Sequence, residues 1–224
     1  MDNLDDRISI FPLPTTVFYP STTLPLHIFE PRYRQMIADA LIGNRLIGMV
    51  LLKPDWEADY FVAPKVAPIG CVGKIDKAVQ LPEGKYNILL EGLSRFKILE
   101  EIPGKAYRRA HVEFLRDTND HPMDEPNSSK VQWLISHYEK YLDLLPNPPE
   151  LPSVADLKDQ PNLSHAVDQL IYALNPSVEE KQALLEELDV HKRVDGLLAM
   201  LDLKIQIVHL SKQRKNLGHD ARTN

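Results

Sequence analysis

The hydrophobic period of this chain changes at residues 117–129, and the change limits what each half can fold into. Before it, apolar and other residues alternate, as at Leu24, Leu26 and Ile28, which is typical of a strand with one buried face. After it, the following apolar residues recur at the spacing of a helix face: Val131, Leu134, Ile135, Tyr138, Tyr141, Leu142 and Leu145. The sequence therefore predicts an α+β chain whose β-rich part precedes its helical part.

The sequence before the change of period predicts a small β-rich pseudo-barrel or sandwich that carries one helix. Short β-rich runs are separated by Pro, Gly, Asn and Asp, and the run "GCVGKIDKAVQLPEGKYNILL" predicts two strands joined by a turn at 82–84. Gly92 stands between two further β-rich runs. Pro31 opens a predicted helix, because its fixed φ suits the first helical position. The predicted first domain is 1–116.

The second part predicts a helical bundle over residues 130–224 that ends in a long helix, after a polar linker at 117–129. Ser177 and Glu180 have capping-box spacing, and Ser153 with Asp156 also resembles a helix start. The last helix is predicted from Val190 to about residue 214, beyond which the chain is expected to fray.

Composition excludes several classes of function. The net charge of −6 would repel a polyanion, which disfavours nucleic-acid binding. Cys71 is the single cysteine, so no intramolecular disulfide is possible, and the histidines show no metal-ligand spacing. The N-terminus is acidic, and no run approaches the ~18 to 20 apolar residues of a membrane span. We expect a cytoplasmic protein with no metal, no cofactor and no membrane contact.

Four separated motifs resemble one family, the N-terminal substrate-binding domain of the ATP-dependent Lon proteases. They are "FPLPTTVFYPSTTLPLHIFEPRYRQMI", "IGCVGKI", "LPEGKYNILLEGLSRFKI" and "EEKQALLEELDVHKRVDGLLAML". The resemblance implies a β-rich subdomain similar to the pseudouridine-synthase-associated (PUA-like) barrel and to a domain of cereblon, followed by a helical bundle. It also implies a role in recognising protein substrates.

The chemistry of the full-length family is not expected here. A phosphate loop needs G-x-x-x-x-G-K-[ST]. Gly43 and Gly48 have the spacing of the two glycines, but Met49 stands where the lysine is required. Gly73 and Lys74 match the second glycine and the lysine, but Pro68 stands where the first glycine is required. The protease module of the family, with its Ser-Lys dyad, would lie beyond these residues. The sequence therefore predicts a chain that is not an enzyme.

Candidate peptide-binding residues lie in two aromatic stretches and at two arginines. Loops carry exposed binding residues, and aromatic side chains anchor interfaces, but the same residues could fill the barrel end or the core. Arg95 could instead bridge strands or cap carbonyls, and Arg34 could pair with Glu30. The candidates are Phe18, Tyr19, Pro20, Phe29, Tyr33, Arg34 and Arg95.

Three functions remain open from the sequence. The first is a non-catalytic module that binds exposed hydrophobic or unfolded protein segments with modest affinity. The second is a structural adaptor that assembles with itself or with a protease subunit through the C-terminal helices. The third, a hydrolase by family descent, has no catalytic dyad in the sequence to support it.

Overall fold

The computed structural model describes residues 6–59, 64–124, 129–145 and 151–220, without the side chains of 58, 59 and 213–220. Its described parts separate into two compact units, Met1–Arg116 with Asn175–Leu188, and Asp117–Leu174 with Asp189–Asn224. The sequence-based division differs from this grouping at residues 175–188, which belong to the first unit. Parts of the predicted linker and of both termini lie outside the described residues, so the domain limits stay a prediction.

The first unit is built on six strands, with helix α1 at Pro31–Ile42 and helix α5 at Val178–Glu186. The strands are β1 (Arg7–Leu13), β2 (Thr23–Ile28), β3 (Leu46–Leu51), β4 (Ile69–Gln80), β5 (Tyr86–Ile102) and β6 (Arg109–Leu115). They pair in the order β2-β5-β4-β3-β1-β6, and β5 also pairs with β6, which closes a five-strand ring with β2 beside it. Only the β1–β3 pair is parallel among these strands.

The core of this unit lies inside the ring, because inward-facing residues of all five ring strands meet there. A buried cluster joins β1, β3, β4, β5 and β6: Ile8, Ile10, Leu46, Val50, Val72, Phe96, Ala110 and Val112. Burial of a side chain of this kind contributes about 1.5–3 kcal/mol. The apolar alternation of these strands therefore sets which residues fill the ring.

The second unit is helical, with α2 (Ser129–Leu144), α3 (Val154–Lys158), α4 (Leu163–Leu174) and α6 (Val190–Asp220). Both α2 and α4 pack on α6. Arg193 is fully buried on α6, and its Nη1 lies 2.8 Å from Asp117 and 3.8 Å from Asp168. Together the two units confirm the predicted α+β class. No helix in the described ranges is both long enough and apolar enough to cross a membrane.

Several local predictions are confirmed. Pro31 opens α1, and both capping boxes form: Ser153 with Asp156 starts α3, and Ser177 with Glu180 starts α5. The structure extends α6 to Asp220, beyond the predicted end near residue 214.

Gly92 differs from its sequence interpretation, because β5 continues through it. Its N–H donates to Thr22 O and its carbonyl accepts from Ser21 N, both at 2.9 Å. A Cβ at this position would lie 2.0 Å from Tyr19 O. The glycine therefore lets the segment before β2 cross β5 at close range.

Gly92→Ala should lower the free energy of unfolding by about 1–3 kcal/mol, because the added methyl group must displace backbone atoms. Chemical denaturation would measure the loss. The matched control is Glu91→Ala, an exposed neighbour on β5, which should change stability by no more than about 0.5 kcal/mol. Equal stability of the two variants would show that the crossing is not tight.

Candidate functional site

A groove with a cavity volume of about 850 Å³ opens on the first unit. Four stretches of chain line it: the end of β1, the start of α1, the turn at Trp56 and the connection from β5 to β6. Its apolar walls comprise Pro12, Leu13, Pro14, Tyr33, Leu52, Trp56, Pro64, Ile102, Pro103, Ala106 and Tyr107. This volume falls within the usual range for ligand pockets, about 300–1,000 Å³.

The start of α1 places two charges and one aromatic ring at the groove. Glu30, in extended conformation, precedes Pro31, so the helix begins there. Tyr33 then faces the core, with its ring centroid 4.1 Å from that of Phe11. Arg32 lies over the Tyr33 ring, 4.6 Å from its centroid, and donates from Nε to Glu30 at 3.0 Å. The helix start is therefore held by packing beneath and an ion pair at the rim.

The connection from β5 to β6 forms the opposite wall. Gly104 turns the chain with φ of 100°, a conformation that glycine adopts without strain. Tyr107 then returns to the wall, and its hydroxyl donates to Asp39 on α1 at 2.7 Å. Lys105 donates to the same carboxylate oxygen at 3.1 Å. These two bonds fix the wall against α1.

The directions of the pKa shifts of Asp39 and Tyr107 agree with the hydrogen bond between them. The hydrogen bonds from Tyr107 and Lys105 hold the pKa of the Asp39 carboxyl below its ordinary value. Burial, with the hydrogen bond to Asp39, raises the pKa of the Tyr107 phenol. Since the Asp39 pKa is lowered on folding, its stabilising contribution is present above the ordinary carboxyl value and is lost as the pH falls through the folded value.

The rim charges form pairs of opposite sign. Glu30 pairs with Arg32 at 3.0 Å, and Lys105 pairs with Asp39 at 3.1 Å. Arg108 donates from Nε to Glu101 at 2.9 Å and from Nη1 to Pro64 O at 2.8 Å. Exposed ion pairs contribute little, about 0–1 kcal/mol each, but they leave the rim without a dominant charge.

The groove is lined by apolar side chains and by charged side chains that are already paired. No Ser, Thr, Cys or His is among the residues that the structure shows lining it, and both lining carboxylates pair with arginines. Across the described ranges, no group of at least three His, Cys, Asp or Glu could hold a metal ion. The arrangement can bury apolar side chains between aromatic and proline surfaces.

Phe18 and Tyr19, two of the predicted site residues, are buried away from the groove. Tyr19 is 0% exposed, and its hydroxyl donates to the carbonyl of Lys181 on α5. The side chain of Phe18 packs close to Gly73. Both residues therefore fill the β unit, the alternative that the sequence left open.

Arg95 is 2% exposed and also holds α5. Its Nε donates to Leu185 O at 3.0 Å, near the C-terminal end of that helix. Its guanidinium lies 5.8 Å from the centroid of the Tyr19 ring, within the usual range for a cation–π contact. Gln182 of α5 donates in turn to Ile69 O at 3.0 Å. Arg95 thus caps carbonyls inside the unit.

The remaining predicted residues divide between the groove and the surface beyond it. Tyr33 alone of the predicted set is among the groove-lining residues of the described chain. Phe29 is 59% exposed, and its ring stacks on His27 with centroids 6.1 Å apart. Arg34 donates to the carbonyl of Glu83, whereas Glu30 pairs with Arg32. Pro20 is partly buried.

Sequence reasoning missed most of the groove. Trp56, Tyr107 and Arg108 carry no local motif, and Pro12–Pro14 belongs to one of the motifs that carry the family resemblance. A stretch of prolines and aromatic residues at loop positions was the available signal, but it did not indicate which loops meet.

Comparison with known proteins identifies what this chain resembles. Residues 7–202 match the family model described as the ATP-dependent protease La (LON) substrate-binding domain. A Lon protease of Dictyoglomus thermophilum is 26% identical over 216 residues, which cover 96% of this chain and 26% of that protein. Lon protease 2 of Myxococcus xanthus is 27% identical over 214 residues, which cover 95% of this chain and 25% of that protein. The chain thus spans about a quarter of the length of these relatives.

Solved structures share the fold. A Lon N-terminal domain protein from Xanthomonas campestris superposes with a TM-score of 0.63 at 22% identity, covering 86% of this chain and 97% of that one. The N-terminal domain of a Mycobacterium avium complex Lon protease gives a TM-score of 0.60 at 17% identity, with coverage of 89% and 98%.

Arg95→Met should loosen α5, because the Leu185 carbonyl loses a charged donor in a buried place. A hydrogen bond to a charged group contributes about 1.5–3 kcal/mol, so amide exchange within 178–186 should accelerate at least tenfold. Hydrogen exchange read by mass spectrometry would measure it. Lys97→Met, an exposed change on the same strand, should leave exchange in α5 unaltered, and unaltered exchange in Arg95→Met would contradict the assigned role.

Proposed function

The chain belongs to the family of ATP-dependent protease La (Lon) substrate-binding domains, and from this premise we propose that it is a non-catalytic module that binds exposed hydrophobic or unfolded segments of other proteins. The groove on the first unit is the observation that carries this proposal. Its walls offer apolar surface to an extended chain, and the charges that border it are already paired.

Groove chemistry supports recognition without selectivity for one sequence. Apolar contacts are not directional, so many different hydrophobic segments can bury area against Trp56 and the wall prolines. An unfolded segment also loses conformational entropy when it is ordered, which lowers the affinity of a single site. We therefore expect weak binding of many clients.

The non-catalytic part of the proposal is supported by the extent of the family match. Residues 7–202 correspond to the substrate-binding domain, and the relatives are about four times as long as the matched region. The groove lining contains no Ser, Thr, Cys or His among the residues that the structure describes. The proposed partners are unfolded or extended protein segments. A cytoplasmic location, no nucleic-acid or membrane partner and no cofactor stay predictions.

A second function, self-assembly through the C-terminal helix, is favoured by one observation on the helical unit. Leu203, Ile207 and Leu210 on α6 are each more than half exposed, and their spacing places them on one face of the helix. Such a face buries its area only when another helix covers it. We propose a second copy of this chain as that partner.

The primary proposal predicts that this chain raises the fluorescence anisotropy of a labelled, permanently unfolded protein and not that of its folded form. Trp56→Ala should raise the dissociation constant about tenfold or more, because a central aromatic anchor contributes about 2 kcal/mol or more. The matched control is Trp133→Ala, on α2, where Trp133 is 53% exposed.

Intact folding of both variants should be checked by circular dichroism, and intact client by gel electrophoresis. Equal affinities for Trp56→Ala and Trp133→Ala would contradict the groove as the binding site. Cleavage of the client would contradict the non-catalytic part of the proposal.

Self-assembly predicts a sedimentation coefficient that rises with concentration. Replacing Leu203, Ile207 and Leu210 together by Gln should return the chain to a monomer, since the apolar face is then polar. Leu99→Gln, an equally exposed leucine on β5, should leave assembly unchanged. A monomer at every accessible concentration of the unmodified chain would contradict the second function.

A further inference from the structure

We propose that the groove receives its client as an extended, proline-compatible segment with uncharged apolar side chains, bound by side-chain packing and not by addition of a strand. This inference rests on the proposed function, because it specifies the substrate class and binding mode of the same groove. Four observations carry it: the backbone of the walls, the aromatic surfaces, the paired rim charges and the state of the sheet edge.

The backbone of the walls is unsuited to strand addition. Pro12, Pro14, Pro64 and Pro103 line the groove, and none of them has an N–H to donate. Arg108 donates to Pro64 O at 2.8 Å, and Arg109 donates to Pro103 O at 2.9 Å. A ladder of backbone hydrogen bonds, which gives β-strand addition its affinity, therefore has few donors or vacant acceptors along these prolines.

The side chains of the same walls suit a polyproline II segment. Trp56, which is partly exposed, borders the groove together with the prolines, and Tyr33 and Tyr107, each 6% exposed, contribute little surface of their own. Segments in the polyproline II conformation dock into aromatic-lined grooves, because that helix is extended and has no internal hydrogen bonds to break. Proline in the client costs nothing here, since its missing N–H has no partner to lose.

Rim electrostatics select an uncharged client. Glu30 with Arg32, Glu101 with Arg108 and Asp39 with Lys105 balance one another. A charged client side chain would meet no net attractive charge at the rim, and it would lose part of its hydration on entering the groove. The groove therefore discriminates against acidic and basic segments alike.

The free edge of the sheet offers no alternative route to strand addition. Within the described residues, β2 pairs with β5 on one side only. Pro25 lies mid-strand opposite Leu89, so the edge lacks a donor at its centre. Proline in this position is a recognised way to block pairing with a further strand.

Labelled ten-residue peptides would test the inference with the full chain. Alternating Pro-Leu and Thr-Leu peptides carry the same leucines, but the first favours polyproline II and the second favours a strand. We expect the Pro-Leu peptide to bind at least tenfold more tightly by fluorescence anisotropy. Replacing two of its leucines by Glu, or two by Lys, should weaken binding in both cases. Trp56→Ala should weaken it and Trp133→Ala should not.

The outcomes separate the inference from the function on which it rests. Equal or tighter binding of the Thr-Leu peptide, or tighter binding of either charged peptide, overturns the inference. It is also overturned if the unfolded protein binds through Trp56 and neither peptide does, and the proposed function then stands. If neither the unfolded protein nor any peptide binds, the proposed function itself fails.

Discussion

Strand β5 is the constraint on which the first unit depends, because it pairs with three other strands. β4 pairs along β5 from Tyr86 to Lys97, whereas β2 pairs with the first residues of β5 and β6 pairs with its last residues, which closes the ring. Gly92 lies at the change between these partners, where the register shifts and the chain before β2 crosses over. Arg95 follows Gly92 on the same strand, and its side chain holds α5. Ile102 ends the strand and lines the groove. One strand therefore positions both the internal helix and the candidate site.

Local features of the fold could be predicted because their causes are local. Pro31 opens a helix whatever it packs against, and the capping boxes at Ser153 and Ser177 satisfy backbone donors within a single turn. Gly92 shows the limit, since a glycine between β-rich runs is compatible with a strand end or with a close crossing. Helix α5 shows the same limit. Its sequence pattern predicts a helix, but it does not predict that this helix packs with the first unit.

The groove could not be predicted from the sequence for a related reason. Pro12, Trp56 and Tyr107 are brought together by the ring of strands, so their proximity depends on pairings between distant residues. Burial and binding use the same residue types, so an aromatic residue in the sequence does not by itself indicate which of the two it serves. Tyr19 and Arg95 consequently looked like binding residues, and the structure uses them to hold a helix of the same unit.

The contacts that hold α5 and the lining of the groove differ in chemistry, and this difference bears on what the groove can recognise. Helix α5 is held by side chains that donate to backbone carbonyls: Tyr19 and Arg95 donate to α5, and Gln182 donates back to Ile69. Such buried hydrogen bonds are directional and demand one partner in one geometry. The groove offers prolines, aromatic rings and charges that are already paired, and apolar contact of this kind tolerates many partners. Under the proposed function, a chain that keeps its own fold while accepting varied clients gains from this separation, since the polar anchors are occupied internally and the apolar groove stays available.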